Sequence, residues 1–302
     1  MSVQQIFYWI RDRLYYSKLG NKIIILIKAS GLYWGLSRYY SRKRSLLMFK
    51  NPTPEMISSL KFFNDNMDRA RDITSWLEDE QSKKSYQKMI AFRCSYNVYE
   101  FPFCDCNSKY YLNDFIDYQQ NEVLIDCGAF VGDGYYNFTK ALKKNNNGNY
   151  KKIVAFEPDP NNVNVLRKLK IPHLIIINAG VSDEDSVMYF KSDLSSSHFV
   201  SGRHDGNSYS EIPIKAIDNC IDCDDATFIK MDVEGYELNA LIGAKKVISK
   251  NRPKLAICIY HSDKDMLRIA EWIRNLDLNY KLYVRQHAFF YSTETVLYAI
   301  PR

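Results

Sequence analysis

Apolar positions along this chain follow two rhythms, and the change between them near residue 120 divides it into two regions. In the first the spacing is helical. Ile6, Trp9, Ile10 and Leu14 share one helical face, as do apolar residues within 55–63 and within 72–92, the latter including Ile73, Trp76, Leu77, Tyr86, Met89, Ile90 and Phe92. Pro52 and Pro54 break the pattern between residues 1–50 and the helices that follow. Beyond residue 120, short apolar runs alternate with longer amphipathic ones. The runs at 122–126, 152–157, 174–178, 226–232 and 254–260 predict strands. The stretches 135–143, 160–168, 237–248 and 265–276 predict helices, with Pro160 suited to a first turn. Strands of near-continuous apolar residues alternating with helices build a parallel sheet covered on both faces. Residues 281–285 and 295–300 have no helix between them and predict an antiparallel hairpin on that sheet. Two further strands, at 188–191 and 212–217, flank a polar loop over 192–210. The expected architecture is α/β: a helical N-terminal region over 1–115, then a Rossmann-like domain over 116–302.

In such a sheet, ligands bind at the carboxyl ends of strands where the strand order reverses. The first strand ends in the segment 126–134, which reads DCGAFVGDG. Gly128 lets the backbone turn sharply and approach a ligand, and Gly132 allows close packing of the turn on its helix. A dinucleotide fingerprint would place a middle glycine where Phe130 stands, to make room for a pyrophosphate. The ring argues against a nicotinamide cofactor and for a ligand without phosphate. Glu157, ending the second strand, can accept hydrogen bonds from two ribose hydroxyls. Segment 228–237 brings Lys230, Asp232, Glu234 and Glu237 to another strand end. Asp232 can pair with an ammonium group or orient an acceptor, whereas Glu237 falls in a first helical turn, where negative charge is favoured. Tyr260 and His261 end the next strand on the same edge, and His261 is the candidate general base. His287, in the closing hairpin, is the weaker candidate.

Composition changes this picture in three places. Aromatic residues make up 14% of the 302-residue chain, 23 of them Tyr. Most serve the core, although rings with a polar tip also suit surfaces that meet sugars or headgroups. The net charge of +6 is uneven: residues 1–50 hold ten Lys or Arg against the single acid Asp12, leaving the rest of the chain slightly acidic. The catalytic part therefore carries no field suited to a nucleic-acid backbone. Seven cysteines, an odd number at irregular spacing, read as reduced thiols; Cys104, Cys106, Cys220 and Cys223 lack the spacing of a zinc ribbon. No run approaches the ~20 apolar residues of a spanning helix, and a cytoplasmic location is expected.

The segments 124–133, 155–160 and 229–237, in that order, resemble the three signatures of FkbM-type methyltransferases. The closing stretch 294–300 is similar too, and the resemblance spans about residues 75–302. It implies the seven-stranded class I methyltransferase sheet, S-adenosylmethionine as cofactor, and O-methylation of a hydroxyl. Acceptors in this family are often sugars of bacterial surface polysaccharides or polyketide-type small molecules. Asp126, Gly128, Gly132 and Glu157 would hold the cofactor, with Phe130 and Asp133 completing the turn. Asp232 and Glu234 would line the reaction site beside His261. No metal ion is expected; a divalent ion, were one used, would take Asp232 and Glu234. The alternatives are a nicotinamide-dependent oxidoreductase and a non-catalytic partner protein on the same scaffold.

Residues 1–50 also carry ten aromatics; this basic aromatic arm either packs on the catalytic domain with its charges solvated, or rests on the inner face of an anionic membrane, where a glycan or glycolipid acceptor would be concentrated. In the second case, co-sedimentation with liposomes should require anionic lipid, weaken at high salt and vanish when residues 1–50 are removed. Equal recovery with neutral and anionic vesicles would reject that expectation.

Overall fold

Strands buried on both faces need cover above and below, and this requirement shapes the molecule. The computed structural model describes residues 53–95, 100–102, 109–146, 148–191, 198–200, 210–288 and 293–302. The basic arm and the helix expected around residues 6–14 lie outside them. In chain order the strands are β1 (Glu122–Cys127), β2 (Tyr150–Phe156), β3 (Leu174–Ile177), β4 (Gly180–Val181), β5 (Ser186–Lys191), β6 (His198–Val200), β7 (Ser210–Lys215), β8 (Phe228–Met231), β9 (Lys254–Cys258), β10 (Tyr280–Gln286) and β11 (Thr295–Pro301). Seven of them form one sheet in the order β10-β11-β9-β8-β1-β2-β3. All neighbours are parallel except β11, which runs antiparallel to both β9 and β10. Every residue of β1, β8 and β9 is buried, which is why these runs carry no polar alternation. From β1 the chain proceeds outward to β2 and β3, then returns to β8 on the other side. The order therefore reverses between β1 and β8, and a crevice opens at their carboxyl ends.

The helices are α1 (Pro54–Asp65), α2 (Met67–Trp76), α3 (Glu80–Ser95), α4 (Tyr135–Asn146), α5 (Pro160–Leu166), α6 (Glu237–Ile242), α7 (Lys245–Asn251) and α8 (Asp263–Asn275). Their starts follow capping chemistry. Thr53 accepts the Met56 N–H ahead of Pro54, Asp159 accepts the Asn161 N–H at 2.8 Å ahead of Pro160, and Ser262 accepts the Asp265 N–H. Two expected helices are broken. The pattern over 72–92 splits at Leu77, whose extended backbone leaves α2, and Asp79 restarts α3 by accepting the Ser82 N–H at 2.7 Å. The pattern over 237–248 splits at Gly243, which caps α6 at a point where a Cβ would lie 2.1 Å from the Ser182 carbonyl oxygen. Asp218 then caps α7 through the N–H groups of Lys246 and Val247, both at 2.9 Å.

Helices α1–α3 share the core of the sheet. Phe63, Ile73, Tyr86 and Met89 are buried in one cluster with Leu255, Ile257, Leu282 and Val284. The Tyr86 hydroxyl donates to the Met266 carbonyl in α8, and Arg285 of β10 pairs with Asp79 at 2.6 Å. Leu77 bridges to Leu282, so the link between α2 and α3 covers the edge strand β10. On the opposite face Tyr111 meets Phe138 and Phe228 edge-on at 5.4 and 5.6 Å. The two extra strands foreseen by the pattern are β5 and β7, but they stand in a second sheet, β4-β7-β5-β6, rather than on the main one. The stretch read as a polar loop contains β6, paired antiparallel with β5. Among the described residues no helix is long and apolar enough to cross a membrane.

Under the sheet's amino-terminal edge, Glu122 of β1 and Lys254 of β9 form a buried ion pair at 2.7 Å. The Glu122 carboxylate also accepts the Gln119 N–H and the Thr227 hydroxyl. Removing one partner of such a pair strands a charge in the interior. Lys254→Met should therefore lower unfolding free energy by about 3–5 kcal/mol, measured by urea denaturation at neutral pH. A midpoint equal to that of the wild type would show that the pair contributes nothing.

Candidate active site

The turn after β1 is fixed from three sides. Gly128 adopts φ +80°, and a Cβ on it would lie 2.0 Å from the Asp232 carbonyl oxygen. The close approach that requires glycine is therefore to the loop after β8. The Asp232 N–H donates to the Cys127 carbonyl at 3.0 Å, and the Gly128 and Ala129 N–H groups both donate to the Phe156 carbonyl of β2. Buried Lys230 completes the joint: its ammonium donates to the Gly128 carbonyl at 2.8 Å and lies 3.1 Å from Asp126. Burial alone would lower the Lys230 pKa, but Asp126 and Asp232 outweigh it and the net shift is upward. Asp126, expected to hold the cofactor, is buried beside Lys230. Gly132 packs against Leu166 and Leu169 at the end of α5 as well as against Tyr135 of its own helix. Phe130 has φ 49° and is 45% exposed, and Asp133 is exposed beside it.

Glu157 anchors the same turn. Its carboxylate accepts the Phe130 N–H at 2.7 Å, the Asp159 N–H at 2.9 Å and the Asn162 amide at 3.1 Å. Burial pushes its pKa up to about 7 against the pull of these donors. It therefore sets the backbone at Phe130 at the carboxyl end of β2, where a ribose contact was expected.

Across the crevice, His261 follows β9 among three carboxylates. Nδ1 lies 2.8 Å from Glu237 Oε1; Nε2 faces Asp232 at 3.6 Å and Glu234 at 3.5 Å. Glu237 is wholly buried in the first turn of α6, as its sequence position suggested, and accepts the Val233 and Gly235 N–H groups at 2.8 and 3.1 Å. Burial presses the His261 pKa down; the Glu237 carboxylate, with Asp232 and Glu234 behind it, outweighs this and raises it above the ordinary value. Asp232 is itself oriented by phenols. Tyr260 donates to Asp232 Oδ1 at 2.8 Å, and the Tyr110 hydroxyl, which donates to Glu294 at 2.8 Å, lies 3.2 Å from Oδ2. Glu234 has φ 54° and a side chain 67% exposed, so it forms the rim.

The structure thus gathers Asp232, Glu234 and His261 at one strand edge. Glu237 enters as the orienting partner of His261 rather than as a helix-start charge alone. Tyr260 was read only as the neighbour of His261, and its short distance to Asp232 is set by the end of β9. Tyr110 carried no signal, and Glu294 was read only as the start of the closing stretch 294–300; each reaches the cluster from a remote part of the chain. His287, the weaker candidate, is buried against the Tyr298 hydroxyl at 2.7 Å, behind Tyr110. Asp232, Glu237 and His261 place ligand atoms within 4.8 Å of one another, a set that could hold a divalent ion. Glu237, though, already accepts two backbone N–H groups, and this set differs from the Asp232 and Glu234 pair that the sequence suggested.

The fold is similar to that of the crystal structure of Methyltransferase FkbM from Methylobacillus flagellatus KT. The TM-score is 0.64 at 24% identity, over 79% of this chain and 60% of that one, so this chain matches less than two thirds of that protein's length. A looser match, TM-score 0.37 at 15% identity, is to an rRNA methylase from Streptococcus thermophilus, over 61% of this chain and 88% of the other. No curated protein is significantly similar. The fold is that of the methyltransferase class. The model of the methyltransferase FkbM domain matches residues 126–282, from the glycine turn into β10, and the chain belongs to that family.

Because Gly128 combines a left-handed φ with contact to a carbonyl, Gly128→Ala should cost more than the ~1–2 kcal/mol of the backbone conformation alone. A urea midpoint within error of the wild type would show that the Asp232 loop yields freely.

Proposed function

We propose that this protein transfers a methyl group from S-adenosylmethionine to a hydroxyl oxygen, on a sugar or a related hydroxyl-bearing small molecule. The observation that carries the reading is the approach of His261 Nδ1 to buried Glu237 at 2.8 Å, with Nε2 on the side of Asp232 and Glu234. A histidine that donates through Nδ1 presents a lone pair at Nε2. A hydroxyl is a poor nucleophile and needs such a base; a transferable methyl by itself does not. Family membership supports the methyl-transfer chemistry.

The residues at the crevice suit the cofactor. It would lie along the turn between Gly128 and Phe130, with Glu157 at the ribose end and the carboxylates of the β8 loop near its cationic end. The acidic groups Asp133, Asp232 and Glu234 favour a ligand carrying sulfonium and ammonium charge, and disfavour a pyrophosphate. When bound, the cofactor supplies an electrophilic methyl. Asp232, steadied by Tyr260, accepts a hydrogen bond from the acceptor and orients it. His261 Nε2 takes the hydroxyl proton, and Glu237 stabilises the resulting imidazolium. Most of the gain comes from alignment of the two reactants. Titration with S-adenosylhomocysteine and with NADH distinguishes this reading from an oxidoreductase: heat with NADH alone would reject it.

The pH dependence follows from the His261 environment. Only neutral His261 can accept a proton, and its pKa lies above the ordinary value of about 6.5. Turnover should therefore rise with pH through an apparent pKa above that value, and Glu237→Gln should move the midpoint down. His261→Ala should reduce kcat by about 10²–10⁴-fold with the affinity for S-adenosylhomocysteine near wild type. A variant that retains most of its rate would place the base elsewhere, and rate loss on chelation would then point to a metal ion.

A further inference from the structure

The pair Cys220-x-x-Cys223 lies outside the crevice and has no part in the reaction. Cys220 stands between two 3-10 turns, Ile217–Asn219 and Ile221–Cys223, on the connection from β7 to β8. The Cys223 N–H donates to the Cys220 carbonyl at 2.9 Å and closes a hydrogen-bonded turn. Such a turn holds its first and last Cα atoms within about 7 Å, and the two thiols lie near enough for each to shift the acidity of the other. Disulfides span Cα separations of roughly 4.4–6.8 Å, so this backbone suits one with little rearrangement.

The two thiols differ in the manner of an attacking and a resolving cysteine. Cys223 is fully buried, while Cys220 is partly exposed and open to a small reagent. The Cys223 thiol, opposed by burial and helped by the backbone N–H groups of Asp222 and Cys223, lowers the Cys220 thiol to about 7. Contact with Cys220 and burial together raise Cys223. Cys127, the nearby third thiol, is raised chiefly by burial and is unsuited to attack.

We propose that Cys220 and Cys223 form a reversible dithiol–disulfide site that reacts with low-molecular-weight disulfides of the glutathione type. The Cys220 thiolate attacks one sulfur of the small disulfide, forming a mixed disulfide and releasing one thiolate. Cys223 then attacks the Cys220 sulfur, its proton passing to the second thiolate that leaves. Two protein thiols are oxidised by two electrons, and one small disulfide becomes two thiols.

The full chain, equilibrated in buffers of reduced and oxidised glutathione, alkylated and mapped by mass spectrometry, tests this. Both thiols should be lost together, leaving a peptide short of two hydrogens and free of glutathione. Alkylation of Cys220 should reach half its maximal rate near pH 7. Cys223→Ser should stop at a glutathione adduct on Cys220. The proposal is overturned by a stable adduct on Cys220 of the wild type, by a Cys127–Cys223 bridge, or by two thiols that react only after denaturation. These outcomes are read on the wild type, so a variant that fails to fold does not blur them.

Discussion

One buried ammonium, that of Lys230, holds the crevice together. It is carried on β8 yet serves β1, reaching the Gly128 carbonyl and the Asp126 carboxylate across the reversal point of the sheet. Burying a cation costs several kcal/mol unless it is paired and hydrogen-bonded, and here both conditions hold. Its position forces the Gly128 turn and the Asp232 loop into contact, which leaves no room for a side chain at residue 128. From that joint the remaining geometry follows: Asp232 is directed at Tyr260, and α6 begins where Glu237 can face His261.

Much of this was legible in the alternation of short apolar runs with amphipathic stretches, because strands buried on both faces leave an unmistakable composition. The five parallel strands and the closing hairpin lie where the pattern puts them. Both failures over helix length have one cause: periodicity reports which residues face the core, and it is blind to a backbone that must turn for a distant contact. Leu77 leaves one helix to lie along β10 beside Leu282, and Gly243 ends another where the chain passes Ser182. The second sheet was half visible, since β4 and β6 are too short to show a period.

At the site, residues attached to strand ends could be read from the chain, and those defined by contact could not. Asp232, Glu234 and His261 sit at the ends of β8 and β9, so topology alone gathers them. Glu237 was visible as a helix-start acid, but its role toward His261 is a distance of 2.8 Å that no spacing encodes. Tyr110 and Glu294 lie outside the segment 126–282 that matches the family model. The glycine turn and the wall beyond Asp232 thus come from different parts of the chain.

The link between α2 and α3 has a bearing on how this protein avoids its own kind. Leu77 and Glu78 lie along β10, the outermost strand of the sheet, and the Glu78 N–H donates to the Leu282 carbonyl at 3.0 Å. An uncovered outer strand offers a row of backbone donors and acceptors to the corresponding strand of another molecule. Here part of that row is already engaged, and Arg285 is drawn inward to Asp79 instead of outward. The link between the amino-terminal helices therefore occupies part of the edge at which a strand of another molecule would pair.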